Sequence, residues 1–155
     1  MRVFEIMSSN VITLNENHSI LDAMKIMKKE NISFLLIVEA NKILGSITEH
    51  DIFLNLTKEL STSTKITKIM KKFVLTINQN DDVIEASDLM ARCLVTKLAV
   101  IDNNRNLVGV LTLSDIAKNE ITEEYALDTL IEISLANSTK YISLDKQEQI
   151  SAFIF

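Results

Sequence analysis

The sequence predicts an α/β (α+β) fold built from two copies of one β-α-β-β-α unit, related by pseudo-two-fold symmetry and followed by a C-terminal helical tail. Three observations carry this prediction. The pattern Gly-x-x-Thr-x-x-Asp occurs twice, as Gly45-Ser46-Ile47-Thr48-Glu49-His50-Asp51 and as Gly109-Val110-Leu111-Thr112-Leu113-Ser114-Asp115, and these use both glycines of the chain. The residues around each copy repeat at a nearly constant offset. The chain has 155 residues, 47% of them hydrophobic. At that length a compact fold buries roughly 70% of its unfolded surface, so no metal or disulfide staple is required.

Phe4, Ile6 and Met7 make a short apolar turn, and Val11 to Leu14 reads as a short strand. Ser19 is placed to cap a helix in which Ile20, Leu21, Ala23, Met24 and Met27 recur at helical spacing, with Asp22, Lys25, Lys28 and Lys29 outward. The uninterrupted apolar run Phe34 to Val38 suits a strand covered on both faces. Glu39 to Lys42 turns the chain, and Ile43 to Ile47 returns as the second arm of a hairpin. A helix from Glu49 to Leu60 follows, carrying Ile52, Phe53, Leu56 and Leu60. Ser61-Thr62-Ser63-Thr64 reads as a linker.

The pattern then restarts. Ile6-Met7 returns as Ile69-Met70, Ile12-Thr13-Leu14 as Leu75-Thr76-Ile77, Ile20 to Ala23 as Val83-Ile84-Glu85-Ala86, and Met27 as Met90, all 63 positions later. One extra residue in the hairpin Asp102 to Asn106 makes the offset 64, so Thr48 meets Thr112 and Asp51 meets Asp115. A register held over about 110 residues is the signature of a repeat. The expected division is residues 1–60 for the first repeat, 61–66 for the linker, 67–118 for the second repeat and 119–155 for the extension. In the extension, Ile121 to Ala136 has helical spacing and Asn137-Ser138 is expected to stop it. A last amphipathic stretch, Leu144 to Phe155, is expected to dock its apolar end, Phe153-Ile154-Phe155.

Composition narrows the function. A net charge of −5 leaves no broad basic excess, which argues against bulk nucleic-acid binding. Lys28-Lys29 and Lys71-Lys72 read as solvated faces. The single cysteine, Cys93, excludes an internal disulfide and suits a reducing compartment; it falls on an apolar helical face and reads as core. No apolar run reaches the roughly 18 residues needed to span a bilayer, and the N-terminus lacks the regions of a signal peptide. A cytoplasmic protein away from the membrane is expected. His18 reads as a turn residue, and two histidines with one cysteine provide no zinc site. No catalytic constellation can be assembled, so no enzyme and no metal are expected.

The repeated motif itself allows two readings. Thr can cap a helix with Asp in its first turn. Alternatively, a Gly at a strand end permits a close approach, and a Thr hydroxyl and an Asp carboxylate three residues apart can face one small molecule, the hydroxyl donating to a phosphate and the carboxylate accepting from a diol.

The wording Ile-Met, a strand ending Ile-Thr-Leu, an Ile-Leu-Asp-Ala helix, then Gly-x-x-Thr-x-x-Asp resembles the CBS domain (the cystathionine β-synthase domain), and two in tandem resemble a Bateman module. The resemblance covers residues 3–118. It implies a regulatory module that binds an adenosine-type nucleotide such as AMP, ADP or ATP in clefts between the repeats, as a regulatory ligand rather than a required cofactor. The motif Asp would hold the ribose hydroxyls and the Ser or Thr a phosphate. One cleft would combine Ser46, Thr48, His50 and Asp51 with Met70, Val74, Leu75, Val95, Thr96 and Lys97. The other would combine Val110, Thr112, Ser114 and Asp115 with Met7, Ile12, Ile32 and Ser33. The chain departs from the family wording at Leu36 and Ala99, where the family commonly has Pro, and at His50, often Arg. Lys97 is expected to give the Asp51 cleft a cation that the Asp115 cleft lacks, since Phe34 holds the matching position. His50 itself reads as a plain exposed helix-start residue. The resemblance also implies a homodimer through the helices after each motif, with Ile52, Phe53, Leu56, Ile116 and Ala117 supplying apolar surface. The alternative is a ligand-free dimerisation or scaffold module for a partner protein.

Overall fold

The computed structural model describes the backbone of residues 1–152 and the side chains of residues 1–138. The chain forms two compact units, one of residues 8–79 and 99–109, the other of residues 1–7, 80–98 and 110 onward. Along the sequence the elements follow the expected order twice, β-α-β-β-α and again β-α-β-β-α, in two three-stranded sheets.

In the first unit, β1 (Thr13–Leu14) pairs parallel with β2 (Phe34–Glu39), which pairs antiparallel with β3 (Lys42–Thr48). The apolar run of β2 is buried at its centre, where Leu35, Leu36 and Ile37 are at most 1% exposed, and half-buried at Phe34 and Val38. Residues on opposite faces of one strand are thus all covered, as the missing polar alternation requires. The β2–β3 turn has φ of 46° at Ala40 and 63° at Asn41, the left-handed pair that matches the twist of a two-residue hairpin. Helix α1 (Ile20–Glu30) starts at a reciprocal box, Asp22 N to Ser19 Oγ (3.2 Å) and Ser19 N to Asp22 Oδ2 (2.8 Å). Its apolar face, Ile20, Ala23 and Met27, packs with Leu14, Leu35, Ile37, Ile47, Ile52, Ile66 and Ile69 into one core.

Helix α2 (Glu49–Leu56) is shorter than expected. The Thr57 hydroxyl donates back to the Leu54 carbonyl at 2.8 Å, Glu59 has φ 62°, and Leu60 is exposed. Residues 57–60 are all exposed, so none of them holds a further turn on the core. The expected apolar pairing surface is also smaller than predicted. Ile52 and Ile116 point into their own units and are buried, leaving Phe53, at 64% exposure, and Leu54 as the large apolar residues that α2 turns outward.

The strand β4 (Thr76–Asn78) pairs parallel with β5 (Lys97–Ile101), with Thr76 opposite Ala99, and β6 (Leu107–Thr112) completes the second sheet. The longer hairpin between β5 and β6 is built on Asp102, whose carboxylate accepts from the backbone N–H of Asn106 and Asn104 at 2.8 Å each. The Asn106 donors, then Asn104, hold this carboxyl below its ordinary pKa against a smaller opposing effect of burial.

In the second unit Val3 is fully buried, and the N-terminal turn is tied down by Val3 N to Asp81 O and Val83 N to Met1 O, both 3.0 Å. Helix α3 (Val83–Cys93) is capped by Asp82, whose Oδ1 accepts from Ile84 N. Its buried residues are Val83, Ala86, Ser87, Met90 and Ala91. Cys93 falls off that stripe and is exposed, contrary to the core position expected for it. The helix ends at Leu94 with φ 54°, at the repeat position where α1 ends on Asn31 with φ 52°.

After α4 (Leu113–Ala117) comes α5 (Glu123–Ala152), which packs on α3 and α4. The contact includes a buried polar pair, Ser87 Oγ and Thr129 Oγ1, 2.7 Å apart. Helix α5 runs through Asn137-Ser138 rather than stopping there. The Ser138 hydroxyl donates to the Ser134 carbonyl at 2.8 Å, so this polar residue is satisfied inside the helix. The Leu144 to Phe155 side chains and their expected docking lie outside the described residues. No described helix is long and apolar enough to cross a membrane.

Candidate functional site

Each Gly-x-x-Thr-x-x-Asp motif runs from the end of a strand into a helix. In the first, the glycine is needed for space, since neither glycine has a positive φ. A Cβ on Gly45 would lie 2.7 Å from the Lys71 carbonyl oxygen and 2.9 Å from Met70 Sδ. The backbone of Lys71 passes there because Ser46 N donates to Lys71 O and Lys71 N to Ser46 O, each at 2.9 Å. The motif glycine therefore admits another stretch of this chain.

Thr48 is the N-cap of α2. Its Oγ1 accepts from Asp51 N at 3.1 Å and donates to Asp51 Oδ2 at 2.7 Å, while Thr48 N donates to the same oxygen at 3.0 Å. Thr112 and Asp115 repeat this box at α4, with 2.6 Å between the hydroxyl and Asp115 Oδ2 and 2.9 Å from Thr112 N. The capping reading is thus realised in both copies. Ser19 and Asp22 make the same box on α1, outside either motif. The box is therefore a local capping device, and it spends the Thr hydroxyl proton on the carboxylate. What it leaves over is one carboxylate oxygen, Oδ1.

That oxygen differs between the copies. Asp51 Oδ1 holds the Lys71 ammonium at 2.8 Å, with the Asp51 side chain 7% exposed. Burial pushes the Asp51 carboxyl up, but Lys71, the Thr48 hydroxyl and the Thr48 N–H outweigh it and hold the group below its ordinary range. Asp115 is half-buried, and among the described residues no donor reaches its Oδ1. Sequence reading placed Lys71 on a solvated face and missed this pairing. The available signal was that Lys71 directly follows Met70, while the matching residue of the first repeat is the uncharged Ser8.

The other expected residues fall as follows. In the first unit, Ser46 is buried on β3, Met70 packs against the core, Val74 and Leu75 are half-buried ahead of β4, and His50 is exposed on α2. Ile12 is half-buried against the same core. Ile32 and Ser33 line a depression of about 620 Å³ between α1 and α2, where Glu49 N donates to Ser33 O. In the second unit, Met7, Val95 and Val110 are half-buried and Ser114 is exposed. Thr96 and Lys97, assigned from sequence to the Asp51 motif, line a depression of about 990 Å³ with Thr112, Leu113 and Ser114. Leu113 N donates to Thr96 O at 2.9 Å. The α5 residues Glu123, Glu124 and Leu127 complete that depression. Among the described residues no three His, Cys, Asp or Glu side chains gather as metal ligands.

Comparison with known proteins gives a consistent answer. The family model described as "CBS domain" matches residues 3–58 and 66–121. A CBS domain-containing protein of Bacillus subtilis, YhcV, is 32% identical over 136 residues, covering 87% of this chain and 96% of that protein. The crystal structure of the CBS domain pair of protein MJ0100, in complex with 5′-methylthioadenosine and S-adenosyl-L-methionine, is 33% identical with a TM-score of 0.68, covering 76% of this chain and 98% of that one. A CBS domain protein of unknown function from Thermoplasma acidophilum, TA0289, is 26% identical with a TM-score of 0.72, covering 85% and 75%.

Proposed function

The chain belongs to the CBS domain family, and from that premise we propose that it is a regulatory module, not an enzyme, that senses an adenosine-type ligand at its two motifs and signals by a change in conformation. The observation that carries this reading is the carboxylate oxygen that each capping box leaves over: an acceptor rigidly placed at a strand-to-helix junction, suited to a ribose diol. The 5′-methylthioadenosine and S-adenosyl-L-methionine complex of a relative supports the ligand class. AMP, ADP and ATP belong to the same class.

The box also revises the chemistry expected of the Thr. Its proton is committed to the Asp, so a ligand phosphate needs other donors, and Lys71 near Asp51 and Lys97 near Thr112 are the side chains placed to supply them. A bound ligand shifts a conformational equilibrium only by its differential affinity for the two states. The signal is read by a second copy of the chain, through a homodimer that uses the α1–α2 face around Phe53.

Thermal denaturation with AMP, ADP, ATP, 5′-methylthioadenosine and S-adenosyl-L-methionine tests this function. A ligand at 100 times its Kd adds about 2.7 kcal/mol of stability, or about 5–11 °C in Tm for a chain of this size. A flat response to the whole panel would overturn the sensing function and favour a ligand-free scaffold.

A further inference from the structure

We propose that Lys71 sets the ligand preference of the first motif: it occupies the Asp51 oxygen that a diol needs, so this motif favours ligands that carry an anion over uncharged ones. The inference rests on reading the two motifs as adenosine-type ligand sites.

Three observations lead to it. Both Asp51 oxygens are taken within the first unit, Oδ2 by Thr48 and Oδ1 by Lys71 at 2.8 Å. Asp115 shares the Thr contacts, and no described donor reaches its Oδ1. The Lys71 backbone is pinned to Ser46 by two reciprocal hydrogen bonds, so the base of its side chain stays beside the motif while its end, 64% exposed, is free to swing.

A diol that binds Asp51 must displace the Lys71 ammonium. An uncharged ligand leaves that ammonium to water, and the ion pair is lost without replacement. A ligand with a phosphate offers the ammonium a new partner within the reach of the same side chain, so the charge-assisted contact is exchanged rather than lost. The carboxylate releases a cation and accepts a hydroxyl; the cation moves to the phosphate; no covalent bond changes. The second motif has no such exchange to make and binds an uncharged adenosine directly.

Titration calorimetry with AMP and 5′-methylthioadenosine tests the proposal on the full chain carrying Asp115→Asn, which weakens the second motif while retaining an acceptor for the Thr112 box. In this background AMP is expected to bind about tenfold more tightly than 5′-methylthioadenosine. Adding Lys71→Met should bring the two within about threefold, by weakening AMP and strengthening 5′-methylthioadenosine, whereas Lys71→Arg should keep the preference. Lys71→Met leaves the backbone bridge to Ser46 in place, and circular dichroism checks its fold. Equal binding of the two ligands before the Lys71 change, or a ratio that Lys71→Met leaves unaltered, overturns the proposal while the sensing function stands. Absence of binding by either ligand to any variant, including the unmodified chain, overturns both.

Discussion

Substituting Gly45 by Ala tests whether the motif glycine serves an approach of the chain to itself. The added methyl would meet a backbone oxygen at 2.7 Å and a thioether sulfur at 2.9 Å. Met70 is a flexible side chain and can yield, but the Lys71 carbonyl belongs to a backbone bridge of two 2.9 Å hydrogen bonds. Moving it away forfeits part or all of that bridge, at about 1 kcal/mol per bond. Pressing against it costs about 1–3 kcal/mol as overpacking. The expected destabilisation is about 2–4 kcal/mol, offset slightly because Ala loses less chain entropy on folding than Gly. For a protein of this length that is a fall in Tm of about 4–16 °C, read by circular dichroism and cross-checked by the urea midpoint at unchanged slope. A variant as stable as the unmodified chain, or more so, would refute the close approach and return Gly45 to the role of a ligand-facing residue alone.

Four further outcomes follow from the geometry. Ser87→Ala should cost about 1 kcal/mol in urea unfolding, because it removes the Ser87 hydroxyl's contacts with Thr129 Oγ1 and the Tyr125 carbonyl while the buried Thr129 hydroxyl keeps the Ser87 backbone carbonyl as its acceptor at 3.3 Å; a loss well above about 3 kcal/mol would contradict this. Leu94→Gly should raise stability by up to about 1 kcal/mol, because Leu94 holds φ 54° while 48% exposed and so gives up little burial. Because the Asp51 carboxyl titrates lower folded than unfolded, its contribution to stability is complete above the ordinary carboxylate range and is lost as pH falls through the folded value. The unfolding free energies of the unmodified chain and Asp51→Asn should therefore converge on acidification, and a constant gap from pH 7 to pH 3 would contradict this. Phe53→Glu should reduce the light-scattering mass from that of a dimer to that of a monomer, since it places a charge on the most exposed large apolar side chain of α2.

The repeat was legible because each element announces itself locally and then again 63 or 64 residues later. The unbroken Phe34 to Val38 run, the Ser19 cap and the turn at Ala40-Asn41 all became the elements they suggested. The paired Thr and Asp were legible as a box because they lie three residues apart on one helix start. What sequence could not show depends on chain segments far apart. Lys71 meets Asp51 only because the segment before β4 bridges β3 at Ser46, and no periodicity encodes that bridge. Lys97 also lines a depression with Thr112 and Ser114 of its own repeat, a neighbourhood that the repeat register does not encode. Cys93 and Leu60 were misplaced because apolar spacing near a helix end does not say where the last buried turn stops. The polar pair Asn137-Ser138 resembled a stop, but serine can return its hydroxyl bond to its own helix.

Titration calorimetry of 5′-methylthioadenosine against the unmodified chain, Asp51→Asn and Asp115→Asn compares the two motifs directly. Saturable binding is expected, weakened about tenfold or more by Asp115→Asn and left nearly unchanged by Asp51→Asn, because no described residue competes for the Asp115 oxygen while Lys71 holds that of Asp51. Binding that neither substitution alters, or no binding at all, would contradict this.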